Sequence, residues 1–289
     1  MHLGSIEIGS IRVDAIDGGS VWLDGGSLFG IVPKVLWNKE VSCDEKNRVR
    51  LSFFSLLVRS EEATIVIEAG SGAHQPPKMQ EAMSVDEPCL LDTMSSLGVA
   101  PEDVNFFIPS HLHFDHVGGA STPDGKGLTF PNARYVFQKK EWEEANRPMP
   151  ININAYIPGD IAPLWSAKRY LVEGATEVTP GVEVIFTSGH SVGHQIVRVG
   201  AKGRDALFFA GDIIPTSENA NPRWACAFDV YPVETYNAKV DLLSKAAEKG
   251  YFIAPGHGGN APICTVAPMS GGRYIAQRVS AISPRPRET

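Results

Sequence analysis

Cysteine is scarce in this chain. Four occur in 289 residues, Cys43, Cys89, Cys226 and Cys264, and no two form a C-x-x-C pair. Two disulfides are arithmetically possible, but so few scattered thiols read as reduced, buried side chains of a cytoplasmic protein. Positive charge is not in excess either. Lysine and arginine number 26 against 33 acidic residues, a net charge of −7, and no basic run stands out. The electrostatic footprint of a nucleic-acid partner is therefore missing. Nor does any stretch reach the roughly 20 apolar residues of a membrane span. The first residues, Met1 to Ser5, offer neither a charged leader nor an apolar signal core.

What remains is an ordinary globular composition, 43% hydrophobic and 20% charged, long enough for one large α/β domain or two small ones. Alternation at Ile6, Ile8, Ile11 and Val13 suits one edge strand over Ile6 to Ile16. A glycine-rich apolar segment follows, from Gly18 to Trp37, with no sustained period; it reads either as a self-packed loop or as a flap over a pocket. Leu51 to Val58 and Thr64 to Glu68 read as buried strands, Glu87 to Leu97 as a helix with Gly98 at its C-terminal cap, and Val104 to Pro109 as a short strand. After a turn at 124–127 come a strand at Arg134 to Phe137 and a helix at Lys139 to Asn146. Pro148 to Trp165, with four prolines, is a candidate loop insertion and a second pocket wall. A meander over 170–209 leads to an amphipathic helix, Thr235 to Lys249, with Val240, Leu243 and Ala247 on one side. A last short strand covers Tyr251 to Ala254, and the tail from Pro284 is expected to fray. Two strand-rich halves with helices between them suggest an αββα layering.

The chemistry concentrates in Ser110-His111-Leu112-His113-Phe114-Asp115-His116. Three imidazoles and a carboxylate at H-x-H-x-D-H spacing are the ligands a borderline-soft dication takes. Placed just after a buried strand, they would sit where α/β proteins carry their reactive groups. Three further apolar strands each end in a ligand residue: Val184 to Gly189 in His190, Leu207 to Gly211 in Asp212, and Phe252 to Gly256 in His257. Small residues beside each ligand let the backbone approach a metal.

On these residues the chain resembles the metallo-β-lactamase-fold hydrolases, from roughly Leu51 to Gly258, with its nearest likeness to the quorum-quenching N-acyl-homoserine lactonases. Gly189-His190-Ser191-Val192-Gly193-His194 resembles the G-H-x-x-G-H pattern of the hydrolase branches. Leu23 to Gly26, Phe29 to Lys34 and Leu36-Trp37 resemble the N-terminal flap of one lactonase branch. The resemblance implies a single α/β domain over 1–289, a four-layer αββα sandwich with a flap at about 18–40 and an insertion at about 148–166. It implies two divalent metals, zinc by default and iron, manganese or cobalt compatible. His111, His113 and His190 would hold one, Asp115, His116 and His257 the other, and Asp212 would bridge them. A metal-bridging hydroxide would attack a lactone or ester carbonyl, with Asp115 handing a proton to the leaving alkoxide. Glu68 and His194 would act from behind the ligands. Leu23, Phe29, Ile31, Trp37, Met149, Tyr156, Trp165, Trp224 and Phe228 are candidate pocket lining, with core or dimer packing the alternative for each. A homodimer is expected by likeness.

Two positions depart from the resemblance. Glu68-Ala69-Gly70 stands where the family often has Asp-x-Gly. Pro215 stands where many lactonases carry a tyrosine for the substrate carbonyl, with Tyr156 or Tyr231 as possible replacements. A phosphotriesterase like methyl parathion hydrolase, or another carboxylic ester hydrolase, is the competing substrate reading. Gly189 to Gly193 also fits the G-x-S-x-G elbow of serine hydrolases, with Asp212 and His257 following in order. That alternative leaves the H-x-H-x-D-H run without a purpose. A diiron oxygen-reducing reading is disfavoured by His113 at the second position of that run, a nuclease by the net negative charge, and a metal-free scaffold by the full ligand set.

Overall fold

A computed structural model of the protein describes residues 1–86, 89–203 and 205–279. Two seven-stranded mixed sheets pack face to face with helices outside each. The first holds, in spatial order, β1 (His2–Ile8), β2 (Ile11–Asp24), β3 (Arg48–Arg59), β4 (Thr64–Ile67), β5 (Phe106–Ile108), β6 (Arg134–Gln138) and β7 (Lys168–Val172). The second runs from β8 (Thr176–Thr179) through β9 (Val182–Phe186), β10 (Gln195–Val199), β11 (Leu207–Gly211), β12 (Phe252–Pro255) and β13 (Cys264–Met269) to β14 (Arg273–Arg278). The helices are α1 (Gly25–Phe29), α2 (Lys34–Trp37), α3 (Pro77–Met83), α4 (Leu90–Ser96), α5 (Phe114–Val117), α6 (Lys139–Asn146), α7 (Pro158–Ile161) and α8 (Pro232–Lys249).

Side chains on a strand alternate between faces, so a strand covered on both sides must be apolar at every position. In β3, Leu56 and Val58 enter the space between the sheets while Leu57 faces the helices outside. In β11, Leu207 and Phe209 point inward and Phe208 and Ala210 meet the layer of α8. The αββα order follows from that double burial.

Several boundaries differ from the sequence reading. The first strand is a hairpin, broken at 9–10. The glycine-rich segment begins as strand: β2 continues to Asp24 through a register shift between Asp17 and Ser20, so Gly18 and Gly19 mark a bulge rather than a loop. Helix α4 covers Leu90–Ser96; the expected start at Glu87 lies outside the described residues, as does the tail from Pro284. The buried stripe of α8 is Thr235, Lys239, Leu242, Leu243 and Ala246, rotated from the expected one because a lysine occupies it. The chain does not end its sheet at β12, since β13 and β14 extend it to the edge. Among the described residues no helix is long and apolar enough to cross a membrane.

Candidate metal centre

Strands β9 and β11 each run antiparallel to β10, and β12 runs parallel to β11, so β9, β11 and β12 all end at one edge of the second sheet. The loop leaving β5 arrives there from the first sheet. Gln195 joins the two, donating from its backbone N to Ser110 O at 2.9 Å and from Nε2 to Pro109 O at 2.9 Å. His111, His113, Asp115, His116, His190, Asp212 and His257 all lie at this junction, none more than 8% exposed.

They form three overlapping groups able to hold a cation: His111, His113 and His190; His111, His116 and Asp212; Asp115, His116 and His257. Within each, the ligand atoms lie within 4.8 Å of one another. In the first group three ring nitrogens converge, with His113 Nδ1 at 2.9 Å from His111 Nε2 and 3.3 Å from His190 Nε2. In the third, His116 Nε2 is 3.8 Å from Asp115 Oδ1 and His257 Nε2 is 3.7 Å from Asp115 Oδ2. Asp212 stands between: Oδ2 lies 3.4 Å from His190 Nε2, and Oδ1 lies 3.4 Å from His116 Nε2 and 3.3 Å from His257 Nε2. Gly256 permits this, because a Cβ there would sit 2.5 Å from Asp212 Oδ1.

The outer ring nitrogens decide which lone pairs face inward. His257 Nδ1 meets the carbonyl of Ser52 at 2.9 Å, a pure acceptor, so Nδ1 carries the proton and Nε2 presents its lone pair. His116 Nδ1 meets Glu68 Oε2 at 3.1 Å and His190 Nδ1 meets Asp229 Oδ1 at 3.0 Å, with the same result. His116 Nε2 and Asp212 Oδ1 are buried without a hydrogen-bond partner. Buried polar atoms are normally paired; inward lone pairs around one carboxylate are the arrangement a dication satisfies, so the donor set fits metal.

Glu68 adopts φ +65 and also accepts from Ser110 N at 2.7 Å. A left-handed conformation at a non-glycine residue costs on the order of 1 kcal/mol, and here it turns the carboxylate under the histidine loop. The longer arm that set Glu68 apart from aspartate thus reaches His116 directly. His194 belongs to none of the groups; its Nε2 accepts from Asp212 N at 3.0 Å and its Nδ1 pairs with Thr187 Oγ1 at 2.7 Å. Ser191 is buried and donates to Glu141 Oε2 at 2.6 Å, so the elbow-like serine has a carboxylate rather than a histidine as its partner.

Burial, then the neighbouring imidazoles, hold His111 and His113 well below the usual histidine range. Burial, the largest influence, opposes charge on His116, His190 and His257 as well, but the surrounding carboxylates together overcome it and raise all three: Asp212 foremost, joined by Glu68 and Asp115 at His116, Asp229 at His190 and Asp115 at His257. Burial pushes Asp212 up, and the surrounding histidines, His116 foremost, bring it well below the usual carboxylate range. Sequence reasoning missed Asp229, the Ser52 carbonyl and Glu141, none of which belongs to a local motif.

The nine candidate pocket residues fare differently. Phe29 and Trp37 are buried and stack at 5.1 Å in a cluster with Val21, Leu28, Val49, Leu51 and Phe53. They give the flap its shape and are closed off from a pocket. Tyr156 is buried, its hydroxyl donating to Glu141 Oε1 at 3.0 Å, and is not free for a substrate carbonyl. Ile31, Trp165 and Phe228 are exposed, and Leu23, Met149 and Trp224 half-buried. A cavity of about 540 Å³ abuts His257 between Trp22, Val41, Cys43, Arg50 and Glu218.

A family model described as "Metallo-beta-lactamase superfamily" matches residues 52–257. The chain is 30% identical over 189 residues to an N-acyl homoserine lactonase of Bacillus cereus, 60% of this chain and 68% of that one. It is 32% identical over 143 residues to one from Bacillus thuringiensis, half the length of each chain. Among solved structures, a probable metal-dependent hydrolase from Staphylococcus aureus superposes with a TM-score of 0.87 at 28% identity, covering 95% of this chain and 99% of that one. A dizinc quorum-quenching lactonase holding a product shares the fold at 17% identity, with a TM-score of 0.80 over 96% and 97% of the two chains.

Proposed function

This chain belongs to the metallo-beta-lactamase superfamily, and on that premise we propose that it is a dinuclear metal-dependent hydrolase that opens lactones such as N-acyl homoserine lactones. The observation that carries this reading is the position of Asp212, one oxygen toward His190 and the other toward His116 and His257. His111, His113 and His190 would hold one cation, Asp115, His116 and His257 the other, with Asp212 shared. Two dications close together repel, and a shared carboxylate lowers that cost. Zinc is the expected metal, with iron, manganese and cobalt compatible with nitrogen and oxygen ligands. When bound, the metals supply an acidified water, its pKa brought toward about 7, and polarisation of the substrate carbonyl.

The chain's own residues do the rest. Glu68, Asp229 and the Ser52 carbonyl keep the protons of His116, His190 and His257 on their outer nitrogens. His194 fixes the backbone of Asp212. Asp115, the carboxylate beside His116 and His257, would take the proton released by the attacking water and pass it from a carboxyl oxygen to the leaving alkoxide. The lactone assignment draws on the Bacillus relatives. A phosphotriester or another ester is kept as a second substrate, because Pro215 and the engaged hydroxyl of Tyr156 leave the carbonyl without those phenols. The homodimer, the cytoplasmic setting and the single domain over 1–289 are part of the same proposal.

The test is chelation, then reconstitution with each metal in turn, against acyl-homoserine lactones beside a phosphotriester. Activity should vanish with chelator, return with metal and favour the lactones. A metal-stripped preparation that stays fully active would sink the reading. Preference for the phosphotriester would replace the substrate and leave the centre standing. Sedimentation of the same preparation checks the dimer.

A further inference from the structure

The three imidazoles of the first group come from two loops. His111 and His113 follow β5 of one sheet, and His190 follows β9 of the other. Nothing covalent nearby fixes one loop against the other, so their spacing depends on non-covalent ties. Glu141, on the first turn of α6, is 1% exposed and lies between them. Its Oε1 accepts from Leu112 N, the backbone between His111 and His113, at 3.0 Å, and from Tyr156 Oη at 3.0 Å. Its Oε2 accepts from Ser191 Oγ at 2.6 Å and from Gly193 N at 2.9 Å, on the loop of His190. Gly193 is needed for this approach, because a Cβ there would run into the backbone and Cβ of Glu141.

We propose that Glu141 is a positioning residue that sets the distance of His111 and His113 from His190, and so determines whether the three-imidazole half of the centre holds its metal. This rests on the reading of the cluster as a dinuclear site. Four donors point at one side chain, and a carboxylate can accept all four. Glutamine has nearly the same shape but one oxygen. Whichever way its amide turns, an NH₂ faces either Leu112 N or Gly193 N, and a backbone N–H cannot become an acceptor. The hydroxyls of Ser191 and Tyr156 can rotate; the backbone cannot. The other half is supported by Glu68 and the Ser52 carbonyl, neither of which bonds Glu141.

The experiment measures zinc content and affinity by metal analysis and chelator competition, and records the absorption of the cobalt-substituted protein. The proteins are the parent, Glu141→Gln, Ser191→Ala and Leu243→Ala. Outer partners of metal ligands are worth about 10- to 100-fold in affinity. Glu141→Gln should lose that much at one of two sites, falling from two tightly held metals to one, with a changed cobalt spectrum. Ser191→Ala should follow in the same direction by a few-fold and keeps the test alive if Glu141→Gln does not fold. Leu243→Ala, in the core under α8, should lower the melting temperature and leave both metals in place. Glu141→Gln with two metals at parental affinity overturns the proposal, as does Leu243→Ala losing metal in the same pattern. A parent that binds no metal overturns the dinuclear reading itself.

Discussion

The two halves of the proposed dinuclear centre differ in the side chains they bring together. Around His111, His113 and His190 the inward atoms are ring nitrogens, and the nearest carboxylate is the shared Asp212. Around His116 and His257 there are two carboxylates, Asp115 and Asp212. The protonation tendencies follow: His111 and His113 are driven down by burial and by neighbouring imidazoles, whereas at His116, His257 and, from the first half, His190 the carboxylates, Asp212 foremost, together overcome burial. The charge-poor half has little to compensate a lone cation except Asp212, while the charge-rich half carries an anion of its own. In the proposed centre Asp212 is therefore the residue on which both halves would depend. Asp212→Ala should reduce kcat/KM by more than the 100-fold that an outer partner reaches and reduce bound metal at both sites. If the variant kept two metals and near-parental turnover, the halves would be independent and the comparison wrong.

A pair of outer substitutions sharpens the contrast. Asp229→Ala frees the outer nitrogen of His190, and Glu68→Gln weakens the hold on His116. Each should cost about 10- to 100-fold in metal affinity, but on opposite halves, so the double variant should retain no tightly bound metal. Chelator competition on the singles and the double reads this directly. Loss of the same metal in both singles would mean that the halves are one site. The expected pH trend has the opposite sign to that of a simple buried histidine. Burial opposes charge on His116, His190 and His257, but the carboxylates around them, Asp212 foremost, overcome it, so protons compete with metal at those three from a higher pH than at His111 and His113.

How much of this was legible in the sequence depends on where the information sits. The seven clustered histidines and aspartates were readable because each closes an apolar strand or belongs to a tight motif, and the αββα layering because strands buried on both faces are apolar throughout. Asp229 was not readable: it lies 39 residues from His190 and meets it only through the fold. The Ser52 carbonyl is backbone and leaves no side-chain signature. Glu141 lies in a short helix that carries no motif, and only the meeting of two loops makes it a four-fold acceptor. The flap misled because a strand that bulges at Gly18-Gly19 has the composition of a loop, and β13 was missed because Pro268 interrupts a short run at the sheet margin. The aromatic residues of the flap were candidates for either pocket lining or core packing, and Phe29 and Trp37 form the core of a small cluster of their own.

A buried carboxylate outside the centre tests the electrostatic side of the comparison. Asp212, ringed by imidazoles, is held down; Asp160 in the 148–166 insertion has one histidine, His74 at 2.8 Å, and burial drives it up to about 6. Its folded value exceeds the unfolded one, so the folded state binds the extra proton. Stability from this group is greatest below about pH 4 and is lost as the pH rises through about 6. Asp160→Asn removes that loss and keeps a hydrogen-bonding oxygen near His74. The variant should therefore be more stable than the parent at about pH 8, by on the order of 2 kcal/mol, and the gap should close toward about pH 4.5. Urea midpoints of both proteins, stripped of metal, at the two pH values measure it. A gap of constant size would mean that Asp160 stays ionised throughout, and that a single histidine can hold a buried carboxylate down as the ring around Asp212 does.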